Sequence, residues 1–172
     1  LTDKIYQDIK DDILTKVFQP GEKLNIKSIS GQIDKGFALI PEDRQAQGLV
    51  QTMDIEKNCS LSAMKTYKKA GVFLDSSKEG QKVDEQIKDI HIKVADKHLP
   101  ILSLSGGNQQ KIIIARWVCK DTDILIFDEP TRGIDVGAKY EIYQLIIKMA
   151  KEGKTIIVVS SEMPEILGIT NR

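Results

Sequence analysis

Two apolar runs bracketing one amphipathic stretch constrain this chain more than any other feature. Ile124-Leu-Ile-Phe127 is four apolar residues long and ends in Asp128-Glu129-Pro130. A helical pattern follows from about Ala138 to Lys151, with Tyr140, Tyr143, Ile147 and Ala150 on one face and Gly153 placed to cap it. Thr155-Ile-Ile-Val-Val-Ser160 is the second run, and its lack of polar alternation is expected of a strand covered on both faces. Strand, helix and strand at this spacing predict a βαβ unit and hence a parallel sheet. The predicted class is α/β.

Upstream, Phe37-Ala-Leu-Ile40 is another short apolar run, ended by Pro41, and reads as a buried strand; Glu42 to Gln47 reads as a polar loop. From about Glu56 to His98 the chain is rich in Lys, Asp and Ser, with Val83, Ile87, Ile90 and Val94 at helical spacing. This pattern predicts a small helical layer exposed on one side. Ser105-Gly106-Gly107 opens a helix running through Ile112, Ile113, Trp117 and Val118. Residues 1–30 differ in texture. Ile5, Ile9, Ile13 and Val17 form a helical stripe stopped by Pro20-Gly21, and Leu24, Ile26 and Ile29 form a second short pattern.

Composition narrows the function classes. The chain has 172 residues, 41% hydrophobic and 29% charged, enough to bury a core and far from a disordered composition. Lys+Arg and Asp+Glu are both 25, so the net charge is zero, which argues against a nucleic-acid backbone as main partner. No apolar run approaches the ~20 residues that span a bilayer, and the opening residues are not expected to be a signal peptide. Cys59 and Cys119 lie far apart in sequence without metal-ligand spacing, and are expected to be reduced thiols of a cytosolic chain. His91 and His98, in a charged stretch, are expected on the solvated surface.

The chemistry-bearing residues fall in two places. Asp128 and Glu129 sit at the carboxyl end of a buried parallel strand, where open α/β sheets bind ligands. Buried carboxylates need compensation, so Asp128 could hold Mg²⁺ and Glu129 could orient and deprotonate an attacking water. A strand end capped by two solvated acids is the alternative. Ser105-Gly106-Gly107 places backbone N–H groups at a helix start, where the helix dipole favours an anion. The alternative there is an ordinary serine-capped helix.

Taken together and in order, the two motifs are far more specific. Leu104-Ser-Gly-Gly-Asn-Gln-Gln-Lys111, then Ile124-Leu-Ile-Phe-Asp-Glu-Pro-Thr-Arg-Gly-Ile-Asp-Val-Gly137, resemble the signature, Walker B strand and D-loop of ATP-binding-cassette (ABC) ATPases. Asn-Gln-Gln-Lys after the glycines, Arg-Gly-Ile-Asp in the D-loop, and Ser160-Ser161-Glu162-Met163-Pro164-Glu165 resemble the ribose/galactose-type carbohydrate importers, specifically the second of their two fused nucleotide-binding domains. Pro41-Glu42-Asp43-Arg44 fits that domain's Q-loop region.

The resemblance spans about residues 32–172. It implies a partial P-loop-NTPase-like domain over residues 31–172, with a helical subdomain over about residues 59–98 leaning toward a permease. By the same resemblance Ser105, Gly106, Gly107 and Gln109 would serve ATP bound on the opposite domain, and Asp135 would reach across that interface. Asp128 would bind Mg²⁺ and Glu129 would be the general base for this domain's own nucleotide. The implied partners are a second nucleotide-binding domain, membrane permease subunits and, indirectly, a sugar-binding protein. The implied location is cytoplasmic, peripheral on the inner face of the cell membrane.

Three departures from the family pattern stand out. No G-x-x-x-x-G-K-[ST] occurs in the sequence. At roughly 1.5–3 kcal/mol per hydrogen bond to a charged group, losing three such bonds removes about 5–9 kcal/mol, or three to six orders of magnitude in affinity. Tight ATP binding and hydrolysis by the chain alone are therefore not expected. Ser161 stands where many ABC domains have a catalytic histidine, and Glu42 where a glutamine often contacts Mg²⁺.

Residues 1–30 resemble the opening of a GntR-type winged-helix regulator: a first helix, a Pro-Gly-x-x-Leu turn and the start of a second helix. The recognition helix that would read DNA is missing from the resemblance, so Lys4, Lys10 and Lys16 are expected to be a solvated face. The change near Ser30 to Ile33 looks like a join between unrelated fragments. The leading reading is an energising ATPase fragment of a carbohydrate importer. A regulator-like binding module and an inactive remnant are the alternatives.

Overall fold

A computed structural model describes residues 36–69 and 73–170. The N-terminal stripe and the GntR-like turn lie outside the described residues. Three parallel strands form the sheet: β1 (Phe37–Ile40), β4 (Ile124–Asp128) and β5 (Thr155–Val159), in the order β1-β4-β5. Phe37 pairs with Ile124 and Ile124 with Thr155, so the three strands start level and β4 is central. The apolar runs predicted as strands are strands, and the sheet is parallel.

Successive side chains alternate across a strand, and this register puts Ala38, Ile40, Leu125, Phe127, Ile156 and Val158 on one face. That face is the core side: Ile40 and Phe127 are fully buried, and Ile156 and Val158 pack on the core. The other face differs from the expectation of full cover. Leu39 is 51% exposed, and Ile126, Ile157 and Val159 are half-buried. Unbroken apolar runs signal two covered faces, but among the described residues only one face is fully packed.

The core side is covered by α3 (Gly106–Lys120) and α4 (Val136–Lys151). Helix α3 carries Ile112-Ile113-Ile114, all fully buried, because it is enclosed on both sides by the sheet layer and by a helical layer. Each such isoleucine contributes roughly 1.5–3 kcal/mol through removal from water. Trp117 donates its indole N–H to the Leu39 carbonyl at 3.1 Å, fixing α3 on β1. Helix α4 is followed by Gly153, whose φ of +95° is a left-handed value that glycine reaches without penalty.

The helical layer holds more than its spacing foretold. Helix α1 (Ile55–Ser60) is capped by Asp54, continues as a tighter turn through Leu61–Tyr67, and leads into a two-residue hairpin, β2 (Lys68–Lys69) and β3 (Phe73–Leu74). Strands of two residues are too short to show a period. Helix α2 (Ser76–Asp89) carries Val83 into the core but stops before Val94, which packs from irregular backbone. The predicted polar loop after Pro41 is also wound: the Asp43 carboxylate accepts from the Gln45 and Ala46 N–H groups, closing a wide helical turn over Arg44–Gly48. The last helix, α5 (Met163–Ile169), follows β5.

Candidate functional site

Strand β4 delivers Asp128 to its carboxyl end, and the backbone turns sharply at Glu129, which takes a left-handed φ of +46°. That turn is held from three directions. The Glu129 N–H donates to the Val159 carbonyl at 2.8 Å, its carbonyl accepts from the Arg132 N–H at 3.1 Å, and its carboxylate Oε1 accepts from the Ser161 N–H at 2.6 Å. Burial pushes the Asp128 carboxyl above the usual carboxylate range, and the neighbouring Glu129 charge adds to the shift. A non-glycine residue held left-handed beside a carboxylate strained by burial is the pattern of a functional turn.

Glu165 clamps the far side of this turn. It is buried on α5 and accepts from Thr131 Oγ1 at 2.8 Å with one oxygen and from Ser160 Oγ with the other. The loop after β5 is thereby tied to the loop after β4, which sets the Ser161 amide against Glu129. The Ser161 side chain is exposed and contributes only through its backbone.

At the second predicted site, Ser105 occupies the N-cap of α3 but does not cap it with its side chain. Its Oγ instead accepts from Asn108 Nδ2 at 3.0 Å, so the serine-capped alternative does not hold. Gln109 donates to the Leu104 carbonyl at 3.1 Å, while its side-chain oxygen is buried without a partner. Lys111, from the same motif, is 2% exposed; its ammonium donates to the His91 carbonyl at 2.9 Å and pairs with Glu141 of α4 at 2.7 Å. Gly107 is buried where α3 meets α4: a Cβ there would lie 2.5 Å from the Ala138 Cβ. Only hydrogen permits that approach.

Arg44 joins the pieces. Its guanidinium donates to the carbonyls of Arg132 (3.0 Å) and Gly133 (3.5 Å) and lies against Gly106, where a Cβ would be 2.9 Å from Nη2. Glu42 pairs with the Arg132 guanidinium. Asp135 caps α4, accepting from the Ala138 N–H at 3.0 Å. Ser105, Gly106, Gly107 and Asp135 are thus gathered at the start of two packed helices, with Glu42 reaching them through Arg132. Asp128, Glu129 and Ser161 form a second group, linked to the first by the turn from Glu129 to Arg132. Sequence reasoning quoted Arg44, Lys111 and Glu165 only as letters of motifs. Their signal was an Arg or Lys amid short polar residues and an acid after a proline, which carries no role without the fold.

The described residues contain no helix long and apolar enough to cross a membrane and no cluster of three His, Cys, Asp or Glu side chains able to hold a metal.

Comparison with known proteins places this geometry in a family. The fold resembles the ATP-binding cassette MJ0796 in a dimeric post-hydrolysis state bound to ADP and Pi, with a TM-score of 0.64 at 21% identity over 78% of this chain and 56% of that one. The chain is 52% identical over 152 residues, 88% of its length, to the galactose/methyl galactoside import ATP-binding protein MglA of Treponema pallidum. It is 45% identical over 91% of its length to the xylose import ATP-binding protein XylG of Photobacterium profundum. It spans about 30% of the length of these curated relatives. A match over 152 residues cannot fit within residues 31–172, so it takes in part of the segment before Gly31. The ABC transporter family model matches residues 6–132, most of the chain, and with these likenesses it establishes that the chain belongs to the ABC transporter family.

Proposed function

We propose that this chain is part of an ATP-binding, ATP-hydrolysing subunit that energises carbohydrate import, corresponding to a C-terminal nucleotide-binding domain. The observation that carries the reading is the Arg44 bridge, which seats the Gly106 helix start and the Arg132–Gly133 turn on one surface with Asp135 beside them. A glycine-opened helix end is suited to an anion, and a surface gathered from two motifs is suited to a nucleotide presented by a second domain. The relatives are galactose/methyl galactoside and xylose import ATP-binding proteins, which supports a sugar as the cargo.

In this reading Ser105, Gly106 and Gly107 contact the γ-phosphate of ATP held by the opposite domain, and Gln109 belongs to the same ATP-binding signature. Asp135 approaches the partner domain. Glu129 is the general base: Ser161 N–H occupies one carboxylate oxygen and fixes its orientation, leaving the other to take a proton from water. Asp128 suits Mg²⁺, since burial and the Glu129 charge both disfavour its bare carboxylate and a cation offsets both. With no three-residue ligand cluster among the described residues, phosphate and water would complete the coordination. Mg²⁺ would supply charge neutralisation on the phosphates. The partners are a second nucleotide-binding domain and membrane permease subunits, with a sugar-binding protein acting through them, and the chain works at the membrane's cytoplasmic face.

The sequence holds no G-x-x-x-x-G-K-[ST], so this chain contributes a half-site to ATP rather than a full cradle. The test is retention on ATP-agarose with and without a complete nucleotide-binding domain of the same family. Retention of this chain only with the partner and Mg²⁺, lost in Gly106→Asp, is expected. Equal behaviour with and without partner, unaffected by Gly106→Asp, would overturn the reading.

A further inference from the structure

Cys59 and Cys119 stand 60 positions apart in sequence, and the fold brings their sulfurs to 3.9 Å. Cys59 is the penultimate residue of α1 and fully buried; Cys119 is the penultimate residue of α3 and 8% exposed. Both thiols are free. Around them lie the hydroxyl of the buried Tyr67 and the guanidinium of Arg116. Arg116 is buried and donates to three neutral oxygens: the Gly48 carbonyl at 2.6 Å, the Asn58 carbonyl at 2.7 Å and Asn58 Oδ1 at 3.1 Å. Its charge is therefore not spent on a hydrogen-bonded carboxylate, and it lies one turn before Cys119. Glu56, Lys82 and Glu85 are the remaining charged groups that act on the pair.

The hydrogen bond between the two thiols holds the Cys119 sulfur below the usual thiol range against the opposing effect of burial, with Tyr67 adding to the lowering. Cys59, in the same bond and fully buried, is pushed up. Cys119, 8% exposed against 0% for Cys59, is the more accessible of the two thiols and the one suited to attack, with Cys59 placed to resolve.

We propose that Cys59 and Cys119 are a modification site, an oxidisable dithiol at which a hydroperoxide closes an intramolecular disulfide between α1 and α3. The Cys119 thiolate attacks one peroxide oxygen; the S–O bond forms as the O–O bond breaks, giving a sulfenic acid and hydroxide, which takes up the displaced thiol proton as water. The Cys59 sulfur then attacks the sulfenic sulfur. The S–S bond forms, the S–O bond breaks, and the hydroxyl leaves with the Cys59 proton as a second water. Two thiols and one hydrogen peroxide become one disulfide and two waters. The sulfurs must approach from 3.9 Å to about 2.05 Å, a movement shared between the ends of two helices. The product staples the helical layer to the helix that begins at Gly106.

The experiment treats the native chain with hydrogen peroxide, removes the excess with catalase, alkylates in denaturant and weighs the intact protein. The expected product is lighter by two hydrogens, takes no alkyl group, releases a peptide linking Cys59 to Cys119, and returns to two alkylated thiols after dithiothreitol. In Cys59→Ser the reaction is expected to stop at Cys119, trapped there as a dimedone adduct. Two alkylatable thiols after treatment of the native chain, an intermolecular dimer in place of the internal link, or irreversible oxidation of Cys119 without the link would each overturn the proposal.

Discussion

The carboxylate of Glu129 is held by the backbone amide of Ser161, at 2.6 Å, across the ends of two neighbouring parallel strands. Ser161, whose side chain is exposed, therefore acts here through its main chain. An acceptor at 129 is what this bond requires, so Glu129→Gln is expected to keep the loop closed and Glu129→Ala to open it. The alanine variant should lose about 0.5–1.5 kcal/mol of stability and the glutamine variant much less. Urea unfolding and amide exchange at Ser161 check both: faster exchange in Glu129→Gln would contradict the acceptor role.

The two signature glycines are expected to separate. At Gly106 an added Cβ meets the end of the flexible Arg44 side chain, whereas at Gly107 it meets Ala138 of α4. In a helix, Gly→Ala ordinarily gains up to about 1 kcal/mol. Gly106→Ala should therefore be neutral or mildly stabilising, and Gly107→Ala should cost about 1–3 kcal/mol from overpacking. Thermal melts of the two variants give the comparison, and equal melting temperatures would count against the close α3–α4 approach.

The charged form of Asp128 is disfavoured by the fold. Its carboxyl is raised by burial and then by Glu129, so the folded state disfavours the charged form. The cost is absent below the ordinary carboxylate value of 3.8 and grows as pH rises through that value to the raised folded one, beyond which it is complete. Asp128→Asn should thus raise the melting temperature at neutral pH, with the gain shrinking as pH falls toward the acid range. A gain independent of pH would refute the assignment.

Lys111 is a structural cation buried on α3. Lys111→Met keeps the buried stem and removes the bonds to the His91 carbonyl and to Glu141, with an expected loss of about 1–3 kcal/mol, mostly from the carbonyl because Glu141 is half exposed. The hydrogen bond from Lys111 holds the Glu141 carboxyl low, so the ion-pair share is present above 4.5 and disappears as pH falls through the lowered value. Denaturation of wild type and variant from neutral to acid pH should converge partway.

Much of this fold was legible because its parallel strands are unbroken apolar runs ended by turn residues. Phe37–Ile40 is a strand over its predicted residues, and β4 and β5 differ from their predicted bounds by one residue. The antiparallel pairing of Lys68–Lys69 with Phe73–Leu74 was not legible, since two residues per strand define no period. Nor was the turn at Arg44–Gly48, which depends on one Asp43 carboxylate binding two amides rather than on any hydrophobic pattern. The motif letters pointed to the site's composition but not to its wiring. That Arg44 spans to residues 88 and 89 positions away, or that Cys59 meets Cys119, is fixed by tertiary packing alone.

The contact between Gly107 and Ala138 leaves no slack between two helices. Flexible side chains at a crossing absorb small displacements by changing rotamer, but a glycine against a methyl group has no rotamer to change. A push on the first turn of α4 is consequently delivered to the first turn of α3 as a rigid lever would deliver it, without any signal having to pass through the sheet.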